Sequence, residues 1–201
     1  MSAVEQWLQA SERLTGALKD AGRLFGSTTS QAFTGHLTAE WEATNADGIA
    51  SQAILNERLP QLLLLNLIRE RVARTERPVL VTALMKYAFL LQMEGSARRR
   101  LYRFVPYHYG PFAKQLYDDL EQLVQGRVVR LDNDQDEEKT RITLVDMAKA
   151  DEMLADVPDE FKADVASIID TYGTLDHGNL LRAVYKKYPA YARNSKIKEA
   201  R

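Results

Sequence analysis

The sequence predicts an α+β fold that is predominantly α: a helical bundle with a small antiparallel sheet, winged-helix-like in its order of elements. Three observations carry this. An almost wholly apolar stretch, Val79 to Met93, reads as a helix buried on several sides. The aromatic segment Leu101-Tyr-Arg-Phe-Val-Pro-Tyr-His-Tyr-Gly-Pro-Phe112 follows it and suits a strand ending in a sharp corner. A second amphipathic helix, Phe112 to Val124, then leads into two short runs, Arg127 to Leu131 and Thr140 to Leu144, that read as a hairpin. Helix, strand, corner, helix and hairpin in that order make a winged-helix-like unit.

A chain of 201 residues is one domain or a domain with an appendage. It can bury roughly 70% of its unfolded surface and needs no disulfide or metal to fold. There is no cysteine, which removes disulfides, thiolate catalysis and the common zinc ligand sets together and fits a cytoplasmic location. The opening Met-Ser-Ala-Val-Glu-Gln-Trp has no basic region followed by an apolar run, so no secretory signal is expected. The apolar run 79–93 is interrupted by Thr82, Lys86 and Gln92 and falls short of the ~20 residues of a membrane span, so no membrane association is expected. A net charge of −1 weighs against nucleic acid, whose affinity rests on neutralising phosphates.

Residues 1 to 25 predict an amphipathic helix, with Val4, Trp7, Leu8, Leu14, Leu18, Ala21 and Phe25 recurring at three- and four-residue steps. Ser27-Thr-Thr-Ser30 is expected to break it, and Gln31 to Gln52, with Gly35, Gly48 and Trp41, reads as irregular or short helix. This N-terminal part is either a helix docked on the main domain, the commoner arrangement, or a partner-binding arm. Pro60 suits the first residue of a helix through Ala73, whose last turn carries Arg69, Arg71 and Arg74. Gly95 closes the apolar helix, which should be the hub of the core.

Leu101, Tyr102, Phe104 and Val105 predict a short strand that ends, or lies at an edge, at Pro106. Gly110 permits the corner and Pro111 is placed to start the next helix, with Phe112, Leu116, Leu120, Leu123 and Val124 inward and Gly126 ending it. Asp132-Asn-Asp-Gln-Asp-Glu-Glu138 reads as a solvated acidic loop. Three helices complete the chain: Met147 to Leu154; one beginning at Pro158 with Phe161, Val165, Ile168, Ile169 and Tyr172 inward and Gly173 ending it; and one capped by Asp176 and stopped by Pro189. The tail from Tyr191 is basic, with a mobile end expected.

Several of these segments resemble one family. Met85-Lys-Tyr-Ala-Phe-Leu-Leu-Gln92 resembles its apolar helix, Phe104-Val-Pro-Tyr-His-Tyr-Gly-Pro-Phe112 its aromatic strand ending in Tyr-x-Tyr-Gly-Pro, and Leu116-Tyr-Asp-Asp-Leu120 continues the match. Val184-Tyr-Lys-Lys-Tyr-Pro-Ala-Tyr191 and Ser195 resemble its closing helix and tail. The family is the SocA-like antitoxin domain, also called Panacea, with its YwgA-like relatives. The resemblance runs over residues 59–195, leaving 1–58 as an N-terminal helical extension and 196–201 as a basic tail. It implies a helical, winged-helix-like domain that works by binding other proteins, often as the antidote to a toxin in toxin–antitoxin or phage-defence loci.

The residues themselves offer little chemistry. His36, His108 and His177 lie in separate segments, with no metal-holding His pair, no nucleophile elbow and no phosphate-cradling glycine loop. His108 reads as a hydrogen-bonded strand histidine rather than an acid–base group, and Asp118-Asp119 as a solvated helix face. No enzyme, cofactor or metal is expected. The helix 111–124 would be the DNA-reading helix of a winged helix, yet it offers one lysine against Asp118, Asp119 and Glu121, the wrong sign for phosphates. What remains is a basic and aromatic segment: Arg98, Arg99, Arg100, Tyr102, Arg103, Tyr107, His108 and Tyr109 are the candidate partner-binding residues, to which Arg69 to Arg74 could add charge. The expectation is a non-enzymatic module with a protein partner, a toxin or a defence-complex subunit. The competing class is a nucleic-acid-binding regulator of winged-helix type.

Overall fold

A computed structural model describes residues 3–33, 45–96, 100–132 and 139–196, with side chains described at 13–29, 45, 46, 48 and, within those ranges, from 52 onward. Arg98 and Arg99, the acidic residues 133–138, His36 and Trp41, and the last tail residues 197–201 lie outside the described residues. The chain divides into two units, Met1–Ala53 and Ile54–Arg201.

In the first unit, helix α1 runs Ala3–Phe33. It passes straight through Ser27 to Ser30, where a break was expected. Thr29 Oγ1 donates to the Phe25 carbonyl at 2.7 Å, four residues back, so the hydroxyl is satisfied within helical geometry. Helix α2 is Ala46–Thr75, so it begins well before Pro60, which sits inside it. Proline's fixed φ is helical and its missing N–H removes one bond, a cost that the helix-forming residues on either side outweigh.

The second unit holds the core. From Leu59 to Ile68 every α2 side chain but Pro60 is buried, including Gln61 and Asn66. Val79–Leu80 is not the first turn of the hub helix but a strand, β1; the helix, α3, is Val81–Glu94. Its side chains are buried from Ala83 through Leu91, as expected of a hub. The polar interruptions have internal duties. Thr82 Oγ1 lies 3.5 Å from His177 Nδ1, and Lys86, 2% exposed, is partnered inside the fold. Gln92 Oε1 accepts the backbone N–H groups of Leu101 and Tyr102 at 2.8 and 2.9 Å, fixing the turn of the chain after α3.

Two strands follow, β2 (Val105–Tyr107) and β3 (Gly110–Phe112), paired as a hairpin with Pro106 opposite Pro111. Pro111 therefore sits in a strand, and helix α4 starts later, spanning Gln115–Gln125. In an antiparallel ladder alternate pairs exchange no hydrogen bonds, and two prolines facing each other at such a pair leave no donor missing. Strands β4 (Val129–Asp132) and β5 (Arg141–Leu144) form the expected wing hairpin, and β1 joins it to give the antiparallel order β1-β5-β4. A helix, a strand that pairs with the far arm of a later hairpin, two more helices and then that hairpin is winged-helix-like topology; here β2–β3 is inserted between its second and third helices.

Helices α5 (Met147–Met153), α6 (Asp159–Tyr172) and α7 (His177–Lys187) complete the unit. Asp176 caps α7, accepting the Asn179 N–H at 2.8 Å. After Tyr188 a 3-10 turn, Pro189–Ala192, carries the chain onward, and Ser195 is buried, so the described tail is packed rather than loose. No helix among the described residues is long and apolar enough to cross a membrane.

Candidate functional site

The hairpin β2–β3 carries the residues that sequence reasoning favoured. Its two-residue turn, His108-Tyr109, is closed by Gly110 at φ +94°, a left-handed conformation that suits glycine. A side chain there would also come within 3.2 Å of Leu181 Cδ1 and 3.3 Å of Tyr185 Cε1 on α7, so the missing Cβ lets the hairpin seat on that helix. Pro111 is buried beneath the hairpin, while Val105 and Tyr107 face solvent at 44% and 46% exposure.

On that outer side four rings form a row. Tyr107 stacks on His108 at 4.2 Å between centroids, meets Phe112 at 5.0 Å, and Phe112 meets Tyr117 of α4 at 5.9 Å. Tyr117 is 44% exposed. Sequence reasoning named Tyr107 and His108 and placed Phe112 inward, where it is half-buried against the core; it missed Tyr117 as a surface group. The missed signal was positional: Tyr117 is out of phase with Leu116 and Leu120, the buried stripe of α4.

A second aromatic group lies inside the same unit. Phe89 meets Phe104, Tyr188 and Tyr191 edge-on, at 5.3, 5.1 and 4.6 Å. The outer edge of β2 is covered by the tail, where Asn194 Nδ2 donates to the Pro106 carbonyl at 3.1 Å and the Lys196 N–H to the His108 carbonyl at 2.9 Å.

The remaining candidates divide. Arg100 and Arg103 are exposed on the segment entering the hairpin, and Tyr109 is half-buried. Tyr102 is only 4% exposed, so it cannot be a surface contact; its hydroxyl donates to Asp119 Oδ2 at 2.6 Å. The residue lies before β2 starts, and strand alternation gave no guide to its direction. Burial pushes the Tyr102 hydroxyl well above its usual range, and it also raises the Asp119 carboxyl, against the lowering effect of the tyrosine bond. Asp119 is thus a structural acceptor, while Asp118 and Glu121 are exposed.

Two members of the second arginine group, Arg69 and Arg74, do not add free charge. Arg69 pairs with Asp151 at 3.0 Å and Glu70 at 2.7 Å, and Arg74 pairs with Asp170 at 2.6 Å and with Glu70. Hydrogen bonds to these carboxylates raise both guanidinium pKa values. A cleft of about 470 Å³ opens beside Asn66, Arg69, Asp151 and Lys162, but its charged groups are occupied: besides the Arg69 pairs, Lys162 Nζ donates to the Ala155 carbonyl at 3.1 Å. Among the described residues no group of three or more His, Asp or Glu side chains converges as metal ligands.

One polar cluster escaped sequence reasoning entirely. Glu94, at the end of α3, accepts from Lys187 Nζ at 3.0 Å, Tyr172 Oη at 2.9 Å and Tyr188 Oη at 3.1 Å, and Lys187 Nζ also donates to Tyr172 Oη at 2.6 Å. Burial, then the Glu94 charge, pushes the Tyr188 hydroxyl up to about 12. The bonds to Tyr172 and Glu94 raise Lys187. Its four members come from α3, α6, α7 and the residue after α7, so it ties the hub to the C-terminal helices. A search of protein-family models and a search of curated proteins both return no match to the chain.

Proposed function

We propose that this chain is a non-enzymatic protein-binding module of the cytoplasm that neutralises or tethers its partner by covering it, in the manner of the SocA-like antitoxins its motifs resemble. The setting is a toxin–antitoxin or phage-defence system. The observation that supports this most is the ring row His108–Tyr107–Phe112–Tyr117, with Tyr107 and Tyr117 exposed and His108 and Phe112 half-buried, together with Arg100 and Arg103 on the segment leading to it. Half-exposed aromatic rings held by packing offer large contact area with little entropy left to lose, the combination found at interface anchors. Arg98 and Arg99, outside the described residues, precede that segment in sequence and are kept as candidate partner contacts on sequence grounds alone.

Capture of the partner from its native host tests this. Replacing Tyr107 and Tyr117 by alanine should reduce capture by on the order of 100-fold, a loss of about 1–2 kcal/mol at each anchor. Unchanged capture would remove this surface from the account.

A nucleic-acid-binding regulator is the second reading, favoured by the strand order β1-β5-β4. Against it, the outward face of α4 carries Asp118 and Glu121 beside Lys114. A mobility-shift assay at two salt concentrations separates the two, since phosphate-mediated binding weakens steeply as salt rises.

A further inference from the structure

Helix α1 carries a seam that the proposed function does not use. Numbered as heptads from Val4, its a positions are Val4, Ser11, Leu18, Phe25 and Ala32, and its d positions are Trp7, Leu14, Ala21 and Thr28. The flanking e and g positions, among them Leu8, Ala17 and Leu24, are uncharged too. Every charged residue of α1, namely Glu5, Glu12, Arg13, Lys19, Asp20 and Arg23, falls at b, c or f. Seven of these nine a and d positions are apolar, Ser11 and Thr28 being the exceptions, and a 3.5-residue repeat of that kind is the pattern of a helix that winds around another helix. Among the described side chains, Leu14, Leu18, Leu24 and Phe25 are 66%, 67%, 69% and 76% exposed.

We infer that α1 is a dimerisation helix, and that its occupant is α1 of a second copy of this chain. The seam is self-complementary in charge: two copies meet across uncharged positions, and none of the six charged residues need be desolvated or opposed. The size is sufficient but not generous. A 31-residue helix is about 46 Å long, and a contact strip about 10 Å wide buries on the order of 1,000 Å² over two copies, at the lower end for a specific interface. Gly16, Gly22 and Gly26 weaken the helix in isolation, and a side chain at each would meet nothing within 4 Å. Helix formation is therefore coupled to pairing, and dimerisation is concentration-dependent.

Sedimentation of the full chain across a concentration series tests the inference. Leu18 lies midway along Ala3–Phe33, so in two fully overlapping helices it faces its own copy whether they run parallel or antiparallel. The wild type should dimerise, Leu18→Glu should weaken the dimer by on the order of 100-fold, and an equimolar mixture of Leu18→Glu and Leu18→Lys copies should restore it. Arg13→Glu, at an outward position, should leave it unchanged. A wild type monomeric at 100 µM would overturn the inference, including the case in which amide exchange shows α1 protected against its own chain. So would a dimer indifferent to Leu18→Glu, which would place the contact on another surface. Amide exchange in α3 reports separately that each variant's core remains folded.

Discussion

The hydroxyl of Tyr102 illustrates how a residue chosen for recognition can serve folding instead. It is the donor to Asp119, a half-buried carboxylate, and Tyr102→Phe leaves that acceptor without it. The variant should lose about 1–2 kcal/mol in denaturant unfolding while partner capture stays intact. The Glu94 cluster makes a prediction in alkali. The Tyr188 hydroxyl moves from an ordinary 10.0 up to about 12, so the fold favours its protonated form. Such a group stabilises fully below pH 10, and its contribution is lost as pH rises through about 12. Tyr172 and Lys187 shift the same way. Thermal melting temperature should therefore hold from neutrality to about pH 9.5 and fall beyond it, and Tyr188→Phe should flatten the fall. A melting temperature that rises in that window would contradict the assignment.

Single elements show where sequence was enough and where it was not. The hub α3 was legible because a run apolar on every side has no other stable home than a core. The α7 start was legible because Asp176 and the stripe Leu180, Leu181, Val184 point to the same boundary. Strand β1 was not, because two apolar residues abutting an apolar helix carry no period of their own. Their strand identity comes from pairing with Ile142 and Arg141, a register set across the fold. Pro111 misled for a related reason: its φ suits a helix start, but the prolines opposite each other fit the hairpin at no cost in ladder bonds. The Glu94 cluster draws on separate segments and leaves no local pattern. The hairpin turn gives the test at this scale. Gly110→Ala imposes a side chain at φ +94° and against Leu181, so it should cost about 1–3 kcal/mol in unfolding and broaden the Tyr107 ring signals in NMR spectra. In α1, by contrast, Gly16→Ala and Gly26→Ala meet open space and should raise helicity, each by up to about 1 kcal/mol in helix propensity.

Across the whole molecule, charge and topology pull in different directions. The strand order is winged-helix-like, but the helix that follows the β2–β3 hairpin turns Asp118 and Glu121 outward, and Arg69 and Arg74 are held by Asp151, Glu70 and Asp170. Among the described residues of the second unit, the aromatic row across β2, β3 and α4 is an exposed feature with anchor chemistry. The central claim is that a protein partner seats there. A photo-crosslinking residue placed at Tyr107 in the native host, with a control at Arg130 on β4, reads this directly. The account predicts a discrete protein adduct from position 107 and none from position 130. Adducts with nucleic acid at 107, or a partner captured only from 130, would contradict it.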